Sequence, residues 1–459
     1  MHEQKSDPEE KSGNTLAQTY SHNVGQVVTL EPYHDAVFGD IGGDGPNYRN
    51  VGWLGTVALM MKTQIGLGVL SIPAVFNSLG MIPGIICLLV IAAITTWSDY
   101  MVGAFKLNHP EVYGIDDVGR LLFGKIGRGV MGVAYVLWSG MLSISIALNA
   151  LSTHGACTAV FVAVAAIIGF IFCSIQTLGR ITWLAWVGVI AIIASILTLT
   201  VAVGVGGRPA SAPQDGPWKS DYKLFGDPSF VDAISAVSSL VFAYAGTPGF
   251  FPIASEMRDP RLFTRSLIIC QSLVTAIYIA IGIVVYYFCG SYVASPALGS
   301  AGVTMKKVCY GLALPGLCVS TILLSHYVFL RILRGTKHVT QNTLIHWVTW
   351  FCCTAGTIII SYIIASAIPV FGGLVSLVGA LLGTLLSFQP YGCMWLYDNW
   401  RGERTRIWYL MVGWCVFVIV SGMFLMIAGT YGSIVSIIDS YTVDGGTSAW
   451  SCADNSGSS

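Results

Sequence analysis

Apolar runs of about twenty residues or more recur along this chain, and they decide what it can fold into. A helix needs ~20 apolar residues to cross ~30 Å of hydrocarbon. Eleven such runs stand out, at 53–76, 81–105, 128–152, 156–175, 183–205, 229–254, 265–290, 308–331, 345–367, 370–397 and 407–430. None alternates with period two, so a barrel is excluded. Only 10% of the residues are charged and 54% are hydrophobic, against about 25% charged in soluble domains. Lipid is therefore the solvent for most of the chain. The expected class is an all-α polytopic membrane protein of eleven transmembrane helices.

The same composition excludes other roles. Net charge is zero and no basic block invites nucleic acid. The twelve cysteines are scattered through apolar runs, where they read as small packing residues. Cys289, Cys309 and Cys452 fall near one membrane face, so a bridge there stays open. No metal-like spacing, nucleotide-binding Gly-rich Lys/Ser motif or cofactor signature occurs. An enzyme would need clustered His, Asp, Glu or Cys at one depth, and the spans offer single residues.

The expected organisation is a disordered cytoplasmic tail (1–50), a first repeat of five helices (51–205), an extracellular loop (206–228), a second repeat (229–397), helix 11 (398–430) and an extracellular tail (431–459). The first fifty residues show no cleavable signal, so the first span acts as signal and anchor together. With the N-terminus inside, fourteen Lys and Arg fall in the inner loops, from Lys106 to Arg406, and five in the outer ones: Arg208, Lys219, Lys223, Lys306 and Lys307. That imbalance predicts N-terminus in and C-terminus out.

Two spans carry residues that a plain membrane helix avoids. Span 1 breaks at Ile65-Gly66-Leu67-Gly68, with Pro73 beyond; span 6 breaks at Ala245-Gly246-Thr247-Pro248-Gly249, with Pro252 beyond. Gly66 and Gly246 are 180 residues apart, and five spans separate the starting points. Five is odd, so the second repeat enters from the opposite face. Interrupted helices at matching places in two inverted halves point to a transporter binding site. Unwound backbone leaves polar groups that cost several kcal/mol each in lipid unless a cavity or ligand receives them. The N-terminus of a half-helix favours a carboxylate, and released carbonyls suit an ammonium. A cavity with both fits an α-amino acid. Glycine also serves simply as a helix contact, as at Gly129, Gly132, Gly379 and Gly383, and the paired positions are what favour the binding-site reading.

Leu70-Ser71-Ile72-Pro73, Leu79-Gly80-Met81-Ile82-Pro83-Gly84, the stretch 106–124 (KLNHPEVYGIDDVGRLLFG) and the stretch 256–267 (EMRDPRLFTRSL) resemble the amino acid/auxin permease family, above all fungal neutral amino acid permeases. The resemblance covers residues 50–430. It implies the inverted five-plus-five fold with discontinuous helices 1 and 6, plus one extra helix. It further implies a secondary amino acid transporter, driven in many members by protons and in some by sodium. Carried over by position, it places substrate contacts at Gly66, Leu67, Gly68 and Val69, and at Ala243, Tyr244, Ala245 and Gly246. Backbone groups make most of these contacts. Tyr244 is either a wall for the substrate or a packing aromatic.

Lys62 lies nine residues past Trp53, about 13 Å into the span. An ionisable residue at that depth is a functional hypothesis, and the C-terminal end of a half-helix suits its charge. Two readings stand: its ammonium takes the place of a coupling sodium, with burial lowering its pKa, or it snorkels to the vestibule. Ser320, Thr321 and Ser325 in span 8 are hydroxyls that can hold a hard cation, and His326 titrates near neutral pH. Asp99, seven residues before Lys106, reads as a structural acid near the inner interface, and Glu256 as a loop charge facing Arg258 and Arg261.

The leading expectation is a carrier of neutral amino acids by proton symport in the plasma membrane, with the vacuolar membrane as the other location. A sodium symporter and an amino-acid sensor signalling through its tails are the alternatives.

Overall fold

The computed structural model describes residues 33–41, 48–66, 68–139, 178–206, 217–333, 343–367 and 371–443, with a few single positions between them. Most of the expected spans 128–152 and 156–175 lies outside the described residues, as do Leu67 and Cys452. The described chain is helical apart from a small hairpin, β1 (Tyr33–Asp35) paired antiparallel with β2 (Gly39–Ile41). Among the described residues, seven helical stretches are long and apolar enough to cross a bilayer, and a bent pair makes an eighth.

That bent pair is span 1. Helix α1 (Trp53–Gln64) stops at the break, a 3-10 turn covers Gly68–Ser71, and α2 (Ile72–Leu79) leaves at 44° to α1. Pro73 sits in the first turn of α2, where its missing N–H costs nothing. Helix α3 (Met81–Asn108) follows directly. Gly80 makes the corner: its φ is +88°, and its N–H donates to Phe76 O at 2.8 Å. Helix α4 (Ile115–Ser139) starts well before the expected residue 128 and is kinked at Gly124 (φ +67°). The polar stretch 115–123 is amphipathic, which an apolar-run criterion overlooks.

After α5 (Leu178–Gly206) the second interrupted span begins. Ser229 caps α6 (Phe230–Tyr244) by accepting from the Asp232 N–H, and Asp232 adds a favourable charge to the first turn. A 3-10 turn, Thr247–Gly249, then leads into α7 (Phe250–Glu256). Helix α8 (Phe263–Cys289) packs against α1, α2, α3 and α5. Helices α9 (Val303–Leu333) and α10 (Leu344–Ala367) come next. The last expected repeat element is α11 (Phe371–Val378), a π segment (Gly379–Gly383), α12 (Thr384–Ser387) and α13 (Gln389–Asn399). Helix α14 (Arg406–Val443) runs past the expected end at 430, because Ile434, Ile437 and Ile438 continue its apolar surface.

Burial sets polar groups into an apolar interior and leaves large apolar side chains outside. Large apolar side chains such as Ile86, Leu89, Leu410 and Ile427 are exposed on the rim, while Thr95, Ser98, Asp99, Thr247 and Gln271 are buried within. Lipid covers the first set.

The expected disordered tail, 1–50, holds structure near its end. Asp35 Oδ1 accepts from the N–H groups of Val37 (2.8 Å) and Phe38 (3.1 Å), closing the hairpin turn. Arg49 pairs with Asp35 at 2.6 Å. Phe38 stacks on Tyr48 and meets Tyr113 edge-on. Val51 then pairs with Met257, with Val51 N–H on Glu256 O (3.1 Å) and Arg258 N–H on Val51 O (2.9 Å). A few aromatics in a polar stretch find partners on the body of the protein, which composition alone does not register. At the other end, Asp221 accepts from the Ser291 N–H (2.8 Å) and hydroxyl (2.6 Å). Partial burial raises that carboxyl, but these bonds and nearby Lys223 outweigh it and hold it below the usual range.

A Cβ on Gly80 would lie 2.2 Å from Gly226 N and would sit at a positive φ. Gly80→Ala is expected to cost about 1–3 kcal/mol, seen as a lower melting temperature in detergent.

Candidate functional site

The two breaks face each other. A Cβ on Gly68 would come within 2.4 Å of Ala243 Cα, so the 3-10 turn of span 1 rests on the last turn of α6. Only glycine permits that approach. A Cβ on Gly246 would meet Gln64 Cγ at 2.6 Å, so the reverse contact holds too. Val69, Ala243, Tyr244 and Ala245 are buried, and Gly66 is half-buried with open space where its side chain would point. Of the eight expected substrate contacts, seven are therefore drawn together, and Leu67 is not described.

Each half-helix ends in carbonyls that its own chain cannot satisfy. Tyr278, fully buried on α8, addresses two of them. Its hydroxyl lies 2.8 Å from Gln64 O at the end of α1 and 3.0 Å from Ala243 O at the end of α6. A phenol has one proton to donate, so one hydroxyl is shared between two acceptors. Lys62 Nζ lies 3.3 Å from Ile65 O, which places an ammonium at the negative end of α1. The side chain is 1% exposed and its stem lies against Gly188 of α5, so it does not snorkel to solvent. The Ser71 hydroxyl donates back to Gly68 O at 2.8 Å. The Tyr244 hydroxyl donates to Thr275 Oγ1 on α8 at 3.0 Å, and its ring meets Tyr278 edge-on.

Ser320, Thr321, Ser325 and His326 lie on α9, whose backbone is described there while their side chains are not. A surface cavity of about 770 Å³, lined by Leu122, Phe123, Cys393, Tyr397 and Trp400 among others, lies on other elements and touches neither break. Among the described residues no group of three or more His, Cys, Asp or Glu is placed to hold a metal.

Asp99 gains partners that its place in the sequence does not reveal. It is fully buried on α3, with Gln271 Nε2 of α8 donating to its Oδ2 and the Thr247 side chain close to the carboxyl. Thr247 begins the 3-10 turn of the second break. The signal in the sequence is an acid inside an apolar run, Thr95-Thr96-Trp97-Ser98-Asp99. Counting back from Lys106 places it by length along the helix and says nothing of what its side chain meets. Glu256 also differs from the expected loop charge: it is buried at the end of α7.

A profile of the family described as "Transmembrane amino acid transporter protein" matches residues 49–435. A transmembrane transporter of Gibberella moniliformis is 33% identical over 429 residues, 90% of this chain and 90% of that protein. An N amino acid transport system protein of Neurospora crassa is 31% identical over 426 residues, 88% of this chain and 89% of that one. A solved Na+-coupled sialic acid symporter, in an outward-open state with substrate bound, shares the fold at TM-score 0.50 and 14% identity, covering 85% of this chain and 91% of that chain.

Tyr278→Phe leaves two buried carbonyls without their shared donor. The expected cost is about 1–3 kcal/mol, measured as a loss of thermal stability in detergent with the ring packing intact.

Proposed function

This chain belongs to the transmembrane amino acid transporter family, and from that premise we propose that it imports neutral amino acids by proton symport with alternating access. The observation that carries this reading is the pair of apposed breaks, whose carbonyls at Gln64 and Ala243 share one hydroxyl. An incoming α-ammonium brings three donors and relieves that shortage. The carboxylate lies at the N-terminal side of the second half of span 1, over Gly66, Leu67, Gly68 and Val69, where backbone N–H groups and the dipole favour an anion. Ala245 and Gly246 close the site from span 6. The site is thus specific for the zwitterion, and the open space beside Gly66 leaves room for aliphatic and aromatic side chains alike.

Lys62 supplies a fixed positive charge at the end of α1, where a sodium-coupled carrier would hold its ion. Ser320 and Thr321 belong to the sodium alternative, and His326 to a second proton route. The eleven-helix, inverted-repeat arrangement is the frame for alternating access. Release inward requires parting of the seal made by Val51 on Met257, by Arg258 on Asn50 (2.9 Å), and by Phe38 on Tyr48 and Tyr113. We place that face in the cytoplasm and the chain in the plasma membrane, on the distribution of Lys and Arg.

A one-unit proton gradient is worth about 1.4 kcal/mol per proton, and ~2.3 kcal/mol per charge comes from each 100 mV. Together they concentrate a neutral zwitterion several hundredfold. In proteoliposomes, uptake of a labelled neutral amino acid is expected to be competed by other neutral amino acids, driven by an inward proton gradient and indifferent to sodium. Uptake that needs sodium and ignores a protonophore overturns the coupling. Binding without flux makes the chain a sensor. Lys62→Met is expected to abolish gradient-driven uptake and exchange together, since the end of α1 loses its cation; full pH-dependent uptake in that variant removes its role in coupling.

A further inference from the structure

Asp99 lies in a pocket of polar atoms that do not complete one another. Gln271 donates to its Oδ2, and no hydrogen bond reaches Oδ1. Gln271 Oε1 and Thr247 Oγ1 are buried and equally without a partner of good geometry, although the Thr247 hydroxyl stands beside the carboxyl. The Thr247 hydroxyl is an uncommitted donor beside an ionised Asp99, and Gln271 Oε1 is still left without one. A proton on Asp99 adds a second donor, and the neutral acid can then donate from Oδ1 toward Thr247 or Gln271.

The surroundings favour that addition. The titratable groups facing Asp99 are Cys270 of α8 and Tyr391 of α13. Both are neutral donors already directed elsewhere, Cys270 to Gln64 Oε1 and Tyr391 to Leu386 O (3.1 Å). Buried Glu256 of α7 acts on Tyr48. Among the described residues no Lys, Arg or His forms an ion pair with Asp99. An ionised carboxylate so placed is costly, and the cost is removed by protonation.

The connection to the breaks is short. Thr247 opens the 3-10 turn of span 6, and Gly246 before it packs on the Gln64 side chain. Gln64 Nε2 is a further buried donor without a partner, and Gln64 O is one of the two carbonyls on Tyr278. An ionised Asp99 can only accept from Thr247; a neutral one can donate to it. The protonation state therefore sets the direction of the hydrogen bond at the start of the turn.

We propose that Asp99 is the site that carries the co-transported proton and that its protonation resets the break of span 6. This rests on the proton-symport reading. The carboxylate takes one proton from the outer solution, forming an O–H bond. That bond breaks when the site opens inward, and the proton leaves to water there, restoring the carboxylate. One net positive charge moves with each zwitterion.

The test uses the full chain in proteoliposomes with the membrane potential clamped at zero. With a one-unit inward proton gradient, the wild type is expected to accumulate labelled neutral amino acid up to about tenfold. Asp99→Asn keeps the shape and fixes the neutral state. Its accumulation ratio is expected to fall to about one, while exchange of labelled for unlabelled amino acid persists and loses its pH dependence. Asp99→Glu retains a titratable acid and is expected to restore gradient-driven accumulation with a shifted pH midpoint. Wild-type accumulation in Asp99→Asn overturns the proposal. So does loss of accumulation in both variants with an unchanged pH profile of exchange, which marks a structural role. A wild type that exchanges no amino acid refutes the carrier itself, and one that exchanges but ignores the gradient refutes proton coupling.

Discussion

A peptide group in hydrocarbon must find a partner inside the protein, and two interrupted helices make that demand acute. Everything around the breaks answers it. The Lys62 ammonium turns onto Ile65 O, Ser71 onto Gly68 O, and Tyr278 stands between the ends of α1 and α6. None of these donors belongs to the backbone ladder of an uninterrupted helix. They come from side chains one turn away or from α8, so α8 is the element on which both breaks lean. Its contacts with α1, α2 and α3 place it where it can do so.

Close packing sets what space remains. Gly68 against Ala243 brings the backbones of the two spans together, and Gly246 packs on the Gln64 side chain. A side chain at Gly68 would push the spans apart. Gly66, by contrast, opens onto free space. The glycines of one break thus do different jobs: one holds the halves together, the other leaves room beside the exposed backbone. The π segment Gly379–Gly383 extends the same principle, since a Cβ at Gly379 would lie 2.1 Å from Ser238 O on α6. Its widened turn lets α11 and the π segment pack against α6.

Most of the described helices and the two interruptions are legible in the sequence because they follow from local rules. Long apolar runs give spans, and Gly with Pro in such runs gives interruptions. What sequence left dark depends on distant partners. The hairpin at 33–41 forms because Asp35 closes its turn and Phe38 reaches Tyr113, neither of which composition reveals. Helix α4 begins at Ile115 because an amphipathic stretch needs no apolar run. Tyr278 was hidden for a different cause: a tyrosine in an apolar span looks like packing until two carbonyls from chain positions 64 and 243 are seen at its hydroxyl. Asp99 was visible as an acid, and only its neighbours tell its role.

The two buried ionisable groups near the breaks differ in what holds them. Lys62 has a carbonyl at the negative end of a helix, so its charge has a fixed counterpart. Asp99 has the Gln271 amide and the neighbouring Thr247 hydroxyl but, among the described residues, no cation paired with it, so its charge has no counter-charge. A cation that is compensated can stay ionised through a transport cycle; an anion that is not compensated is easier to neutralise than to keep. The division of labour follows from this contrast. In the proposed cycle Lys62 fixes the geometry of span 1, and the proton comes and goes at Asp99. Thr247, beside that carboxyl, opens the turn whose preceding Gly246 packs on the Gln64 side chain, so in that proposal a proton on Asp99 is felt at the end of α1.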